Sequence, residues 1–194
     1  MEIIETIARI RNLYVIEYME AVVMARHASP RLASEVLIEL NSPSRTGVFR
    51  LFRIDMISGP TEDPKLSEFY SDTYLHFEPI EINFGQLAVQ IRPFHWYSAN
   101  LRCHSIHSPQ SSLESWGEKW LDINDQRKRN GDGSFGVIHS IGESVLDGRV
   151  WSTVIDFGTA PPDAFWDCLG ALEATGAKTI TVETPGISEN NSTE

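Results

Sequence analysis

Residues 80–91 read Ile80-Glu81-Ile82-Asn83-Phe84-Gly85-Gln86-Leu87-Ala88-Val89-Gln90-Ile91. Apolar side chains alternate with others on both sides of a short break, the period-two pattern of half-buried strands joined by a turn. A further strand is expected over 94–103, so strand follows strand without an intervening helix. Consecutive strands with few crossovers favour a mostly antiparallel sheet, whereas a doubly wound fold needs regular strand–helix alternation. That alternation is absent before residue 105. We therefore expect an α+β fold, with helices packed on a mostly antiparallel sheet. It should form a single domain over residues 1–184, with a polar, disordered tail over 185–194.

Working outward, residues 2–28 place Ile3, Ile7, Ile10, Tyr14, Tyr18, Ala21 and Met24 at helical spacing. The β-branched and aromatic residues 13–16 allow a strand there instead. Ser29-Pro30 supplies a hydroxyl cap and a first-turn proline, which predicts a helix over 30–40. Residues 48–57 read as a strand with Val48, Phe52, Ile54 and Met56 on one face, and 65–75 as a short helix. Ser111 or Ser112 caps a helix running to Gln126, with Leu113, Trp116, Trp120 and Ile123 as its apolar stripe. Residues 135–141 and 151–157 form an expected antiparallel pair, with Asp147-Gly148 as the centre of the tight turn. Pro161 or Pro162 starts a last helix to Thr175, with Phe165, Cys168, Leu169 and Leu172 inward and Gly176 as C-cap. Residues 180–182 make a final short strand.

The chain has 194 residues and a formal charge of −11, from 27 acids and 16 bases. The last 44 residues hold seven acids and one base. Such a field repels phosphate backbones, so direct nucleic-acid binding is not expected, and it attracts basic surfaces. The plainer reading is that the charge serves solubility. No apolar run approaches a membrane span, and the acidic start Glu2-Ile3-Ile4-Glu5 is unlike a secretory signal. A cytoplasmic location follows as an expectation. Cys103 and Cys168 do not form a disulfide framework.

Three motifs invite chemistry. Gly131-Asp132-Gly133-Ser134-Phe135-Gly136 matches the dinucleotide spacing, yet a charged helix end precedes it and a strand follows, so we read a loop and expect no cofactor. Cys103, His104 and His107 group potential metal ligands, but alternate strand residues point apart and no second ligand pair appears, so no metal is expected. His139 and Asp156 face each other if the hairpin is ungapped about Asp147-Gly148. A carboxylate beside an imidazole raises its pKa and orients it as a base. The plainer reading is a structural cross-strand pair.

Glu114, Glu118, Asp122 and Asp125 are spaced four, four and three, and so line one face of the expected helix. A concentrated acidic face suits docking of Arg and Lys from a partner. The alternative is a solvated face.

The segment Gly136-Val137-Ile138-His139-Ser140, followed by Val154-Ile155-Asp156-Phe157-Gly158-Thr159-Ala160-Pro161 and its helix to Gly176, resembles bacterial immunity proteins of polymorphic-toxin and type VI secretion systems. It is most like the family paired with restriction-endonuclease-like nuclease toxins, over about residues 110–183. The resemblance implies a small, acidic, non-enzymatic protein that binds a cognate toxin and blocks or distorts its active site. The rival expectation is a small hydrolase or transferase using His139 and Asp156.

Overall fold

In the computed structural model, which describes residues 2–41, 47–104 and 109–185, the chain opens on one long helix, α1 (Ile3–Ala28). Its buried positions Ile7, Ile10, Tyr14, Tyr18 and Val22 recur at helical spacing, so residues 13–16 are helix and not strand. Met24, expected inward, is exposed.

Leu32 donates its N–H to the Ser29 carbonyl at 3.0 Å, so Ser29-Pro30 begins a turn. Proline suits the second position of a turn as well as the first turn of a helix. The helix expected over 30–40 is instead a strand, β1 (Ala33–Glu39). A short 3-10 turn (Gly47–Arg50) holds Val48, and β2 (Leu51–Ser58) follows, antiparallel to β1 from Glu39↔Leu51 to Ala33↔Ile57. The other side of β2 carries β3 (Lys65–Ser67), where a helix was expected. That segment is held extended by side-chain acceptors: Asp55 Oδ2 takes the Phe69 N–H at 2.6 Å, and the Ser71 hydroxyl donates to Glu17 at 2.5 Å.

The hairpin read from residues 80–91 is β4 (Ile80–Phe84) and β5 (Leu87–Ile91), in register from Ile80↔Ile91 to Phe84↔Leu87. Residues 95–98 turn, with the Ser98 N–H on the His95 carbonyl at 3.0 Å, so β6 (Ala99–His104) starts later than expected. The remaining elements are α2 (Gln110–Leu121), β7 (Ser140–Ile141), β8 (Val145–Asp147), β9 (Val150–Asp156), α3 (Pro162–Ala174) and β10 (Thr179–Glu183). Gly176, at φ +81°, follows α3 where a C-terminal glycine was expected.

The large sheet runs β4-β5-β10-β6-β9-β7, with β8 beside β9. Its pairs are antiparallel except β10 with β5, so the α+β expectation holds. Helix α3 connects β9 to β10, which lies two places along the sheet. Leu87, Val89, Leu101, Cys103, Trp151, Ile155, Ile180 and Val182 turn one face inward, into one core with Phe165, Leu169 and Leu172 of α3 and Leu113, Trp116 and Trp120 of α2. The Trp116 indole N–H donates to the Ala164 carbonyl at 3.0 Å and ties the two helices together.

The smaller sheet, β1-β2-β3, meets the large one through a backbone bond, Arg53 N–H to the His139 carbonyl at 2.7 Å. Among the described residues no helix is long and apolar enough to cross a membrane.

Candidate functional site

The seam between the sheets gathers four ionisable side chains from four segments. Glu35 comes from β1, Asp55 from β2, His139 from the residue before β7, and Asp156 from the end of β9. His139 Nδ1 lies 2.6 Å from Asp55 Oδ1 and 3.9 Å from Asp156 Oδ2, and Nε2 lies 3.5 Å from Glu35 Oε1. Neither Nδ1 nor Asp55 Oδ1 makes a hydrogen bond of regular geometry, so their contact is an ion pair out of line with the N–H. The Tyr18 ring stands edge-on to the imidazole at 5.7 Å between centroids, and its hydroxyl donates to the Asp55 carbonyl at 2.9 Å.

Each carboxylate is held by further donors. Glu35 accepts the Thr159 hydroxyl on Oε1 and the Phe135 N–H on Oε2 at 2.9 Å. Asp156 Oδ1 accepts the Gly158 N–H at 2.8 Å. Gly158 sits at φ +48°, where a Cβ would intrude on the His139 ring. Glu35 itself has φ +57° within a strand, a conformation that costs a non-glycine residue roughly 1–2 kcal/mol.

Burial alone would push the His139 imidazole down, but Asp156, Asp55 and Glu35 outweigh it and hold it well above its ordinary value. Burial raises Asp156, against the pull of His139 and with the repulsion of Asp55. Burial also opposes ionisation of Glu35, yet its hydrogen bonds and the imidazolium leave it below the ordinary carboxylate range. One cation among three acids thus leaves Asp156, the most exposed of them at 22%, as the group that most readily keeps a proton.

A cleft of 260 Å³ opens over this cluster, lined in part by Phe69, Tyr70, Tyr97, His139 and Asp156. His139 is only 1% exposed, and both its ring nitrogens face carboxylates. At 3.9 Å Asp156 is beyond hydrogen-bond reach of Nδ1, so the arrangement works as an electrostatic clamp that ties β1, β2 and β9 to one another.

The hairpin register differs from the expected one. Ser140 pairs with Asp156 and Asp147 with Val150, so Gly148-Arg149 form the turn and the strand gains one residue near Gly142. His139 and Asp156 are nonetheless brought together, because the His139 N–H donates to the Asp156 carbonyl at 2.9 Å.

The acidic helix face is also rearranged. α2 ends at Leu121, and Asp122 (φ +52°) and Asp125 (φ +51°) lie beyond it in left-handed backbone, not on the helix to Gln126 that was expected. The buried Arg53 guanidinium explains the stop. It donates to the Leu121 carbonyl at 2.8 Å, the Asp122 carbonyl at 2.9 Å and Asp125 Oδ1 at 3.0 Å. It also donates to the Glu35 carbonyl at 2.7 Å. Asp122, 11% exposed, accepts the Gln126 and Arg127 N–H groups. Glu114 and Glu118 remain on α2, with Glu118 exposed, while Asp125 is 67% exposed despite its bond to Arg53.

Gly131–Gly136 is a loop, as read: Asp132 Oδ1 accepts the Ser134 N–H at 2.9 Å and its hydroxyl at 2.7 Å. Cys103 is buried and turned inward, His104 faces outward at the end of β6, and His107 lies outside the described residues. Among the described residues, no group of three or more His, Cys, Asp or Glu side chains is placed to hold a metal ion.

Glu35, Arg53, Asp55 and Thr159 are the residues that reading the sequence missed. The signal was Arg53-Ile54-Asp55, two charges alternating with the apolar face of Phe52, Ile54 and Met56 in a strand whose residues 53–56 are all buried. No family model matches the chain, and no curated protein or solved structure matches it.

Proposed function

We propose that this chain is an immunity protein that binds a cognate secreted toxin, of the nuclease class, in the cytoplasm and neutralises it. The observation that carries the reading is the state of its most reactive side chain. His139 is 1% exposed at the floor of its cleft and faces carboxylates with both nitrogens, so it serves the fold, and the exposed surface is left for function. That surface belongs to a chain of charge −11, complementary to the basic groove of a nucleic-acid-cutting enzyme. Glu114, Glu118 and Asp125 are its candidate contacts, and Asp122 supports them by fixing the loop after α2. Co-expression with the product of the neighbouring gene tests this. Protection of a host that this product kills, with a complex that co-purifies, is the expected result; continued killing with no complex retires the reading.

A second reading, a small hydrolase or transferase, rests on the cleft that exposes Asp156 above His139. Turnover of simple ester or phosphoester substrates that disappears in Asp156→Asn, with folding intact, would favour it.

A further inference from the structure

In a chain with 27 acids and 16 bases, one pocket has the opposite sign. It has a volume of 350 Å³, and its charged lining residues are Arg11, Arg127 and Lys128, with no carboxylate among those that line it. Asn130 and Pro161 stand in the same wall. The two guanidinium groups are fixed by neutral acceptors. Arg11 donates to the Thr159 carbonyl at 3.0 Å and the Ala160 carbonyl at 3.4 Å, and Arg127 to the Lys119 carbonyl at 3.0 Å and the Gly136 carbonyl. Carbonyls orient a guanidinium without cancelling its charge. The carboxylate of Asp132 stands 3.9 Å from Arg11, at the limit of an ion pair. Burial pulls both arginines below their ordinary value, against the opposing charge of Asp132 and Glu35 on Arg11 and of Asp122 on Arg127.

Helix α3 begins beside this pocket. Pro161 is its N-cap and offers no side-chain cap, so the positive end of the helix adds to the three cations, partly offset by Asp163 in the first turn. We propose that the pocket binds the phosphate group of a small phosphorylated metabolite or free phosphate. A phosphate near two negative charges matches paired guanidinium forks better than one carboxylate does. The volume lies within the range of roughly 300–1,000 Å³ usual for small-molecule sites. This inference stands independently of toxin binding.

The test is calorimetric titration of the whole chain with inorganic phosphate and with phenyl phosphate, against acetate at matched ionic strength. Binding of either phosphate, with Lys128→Gln about tenfold weaker and Arg127→Gln weaker still, is the expected result. Tighter binding of phenyl phosphate assigns a monoester, and equal binding assigns free phosphate. Arg102→Gln, on the open face of the sheet, should bind as wild type. Lys128 is exposed, so its variant keeps the test decisive if Arg127→Gln loosens the loop. Unchanged affinity in Lys128→Gln overturns the proposal. So does equal binding of acetate, which would make this a contact for a protein carboxylate.

Discussion

His139 Nδ1 and Asp55 Oδ1 face each other at 2.6 Å, a cation and an anion with almost no solvent between the two sheets they join. The free energy of that pair depends on pH, and its sign can be worked out. His139 is held above its unfolded value of about 6.5. Its contribution is therefore fully present below that pH and is lost as pH rises through the higher folded value. Asp156 is also raised, so its favoured protonated form likewise fades as pH climbs. We expect the thermal midpoint to fall more steeply as pH rises above about 6.5 in wild type than in His139→Gln, since the general repulsion of an acidic chain acts on both. At neutral pH the variant should be less stable by about 3–5 kcal/mol, the cost of leaving buried charges unpaired. Parallel pH profiles would show that His139 is neutral in the fold.

Glu35 provides a second check, because its backbone and its side chain pull in opposite directions. Its carboxylate satisfies Thr159 and the Phe135 N–H, so Glu35→Ala should cost about 3–5 kcal/mol. At φ +57° glycine is at ease and alanine is not, so Glu35→Gly should exceed Glu35→Ala in stability by about 1 kcal/mol. In an ordinary strand the order is the reverse. Denaturant midpoints of the two variants decide it, and alanine equal to or above glycine would mean the strain is relaxed.

Gly158 makes the closest approach to the imidazole. A Cβ there would overlap the buried His139 ring, and the backbone is left-handed as well. Gly158→Ala should cost about 4 kcal/mol or more. Gly170→Ala is the contrast: it lies within α3, its Cβ would meet Phe84 Cε1 at an ordinary contact distance of 4.0 Å, and it should gain about 0.5–1 kcal/mol. Similar melting temperatures for the two would refute the packing described around His139.

These residues explain how far the sequence could be read. The 80–91 hairpin, α1, α3 and the strand after Gly176 were legible because their apolar period is local. β1 was not, because Ser29-Pro30 serves a turn and a helix start equally well, and pairing with β2 decided between them. The site was half legible. His139 and Asp156 belong to one hairpin and could be paired from its turn, although the register was off by one. Glu35 reaches His139 across 104 residues, and Asp55 sits on a strand buried on both faces, where a period-two pattern assigns one face to water. The acidic stripe failed for the same reason: Arg53, far away in sequence, takes the carbonyls that would have continued α2.

That last point changes which substitutions can test partner binding. Asp122 holds Arg53 and two backbone N–H groups, so charge reversal there would disturb the fold and confuse the result. Glu114 and Glu118 are the cleaner pair. Both lie on α2, and Glu114 accepts the Gln110 side-chain N–H at 3.2 Å, a local bond within the helix. Like charges four residues apart repel by a few tenths of a kcal/mol whether both are acidic or both basic, so Glu114→Lys with Glu118→Lys should leave stability nearly unchanged. If the cognate toxin meets this face with a basic groove, the double variant should associate several-fold more slowly, with a smaller change in dissociation, because steering acts on encounter. The loss should be greatest at low salt and shrink as the screening length falls below about 10 Å, near 0.1 M. Asp122→Asn should behave oppositely, lowering the thermal midpoint while sparing the on-rate. Stopped-flow association of the purified pair across a salt series reads both. A double variant that matches wild type at every salt concentration would remove α2 from the interface and move the search to the other acidic surfaces.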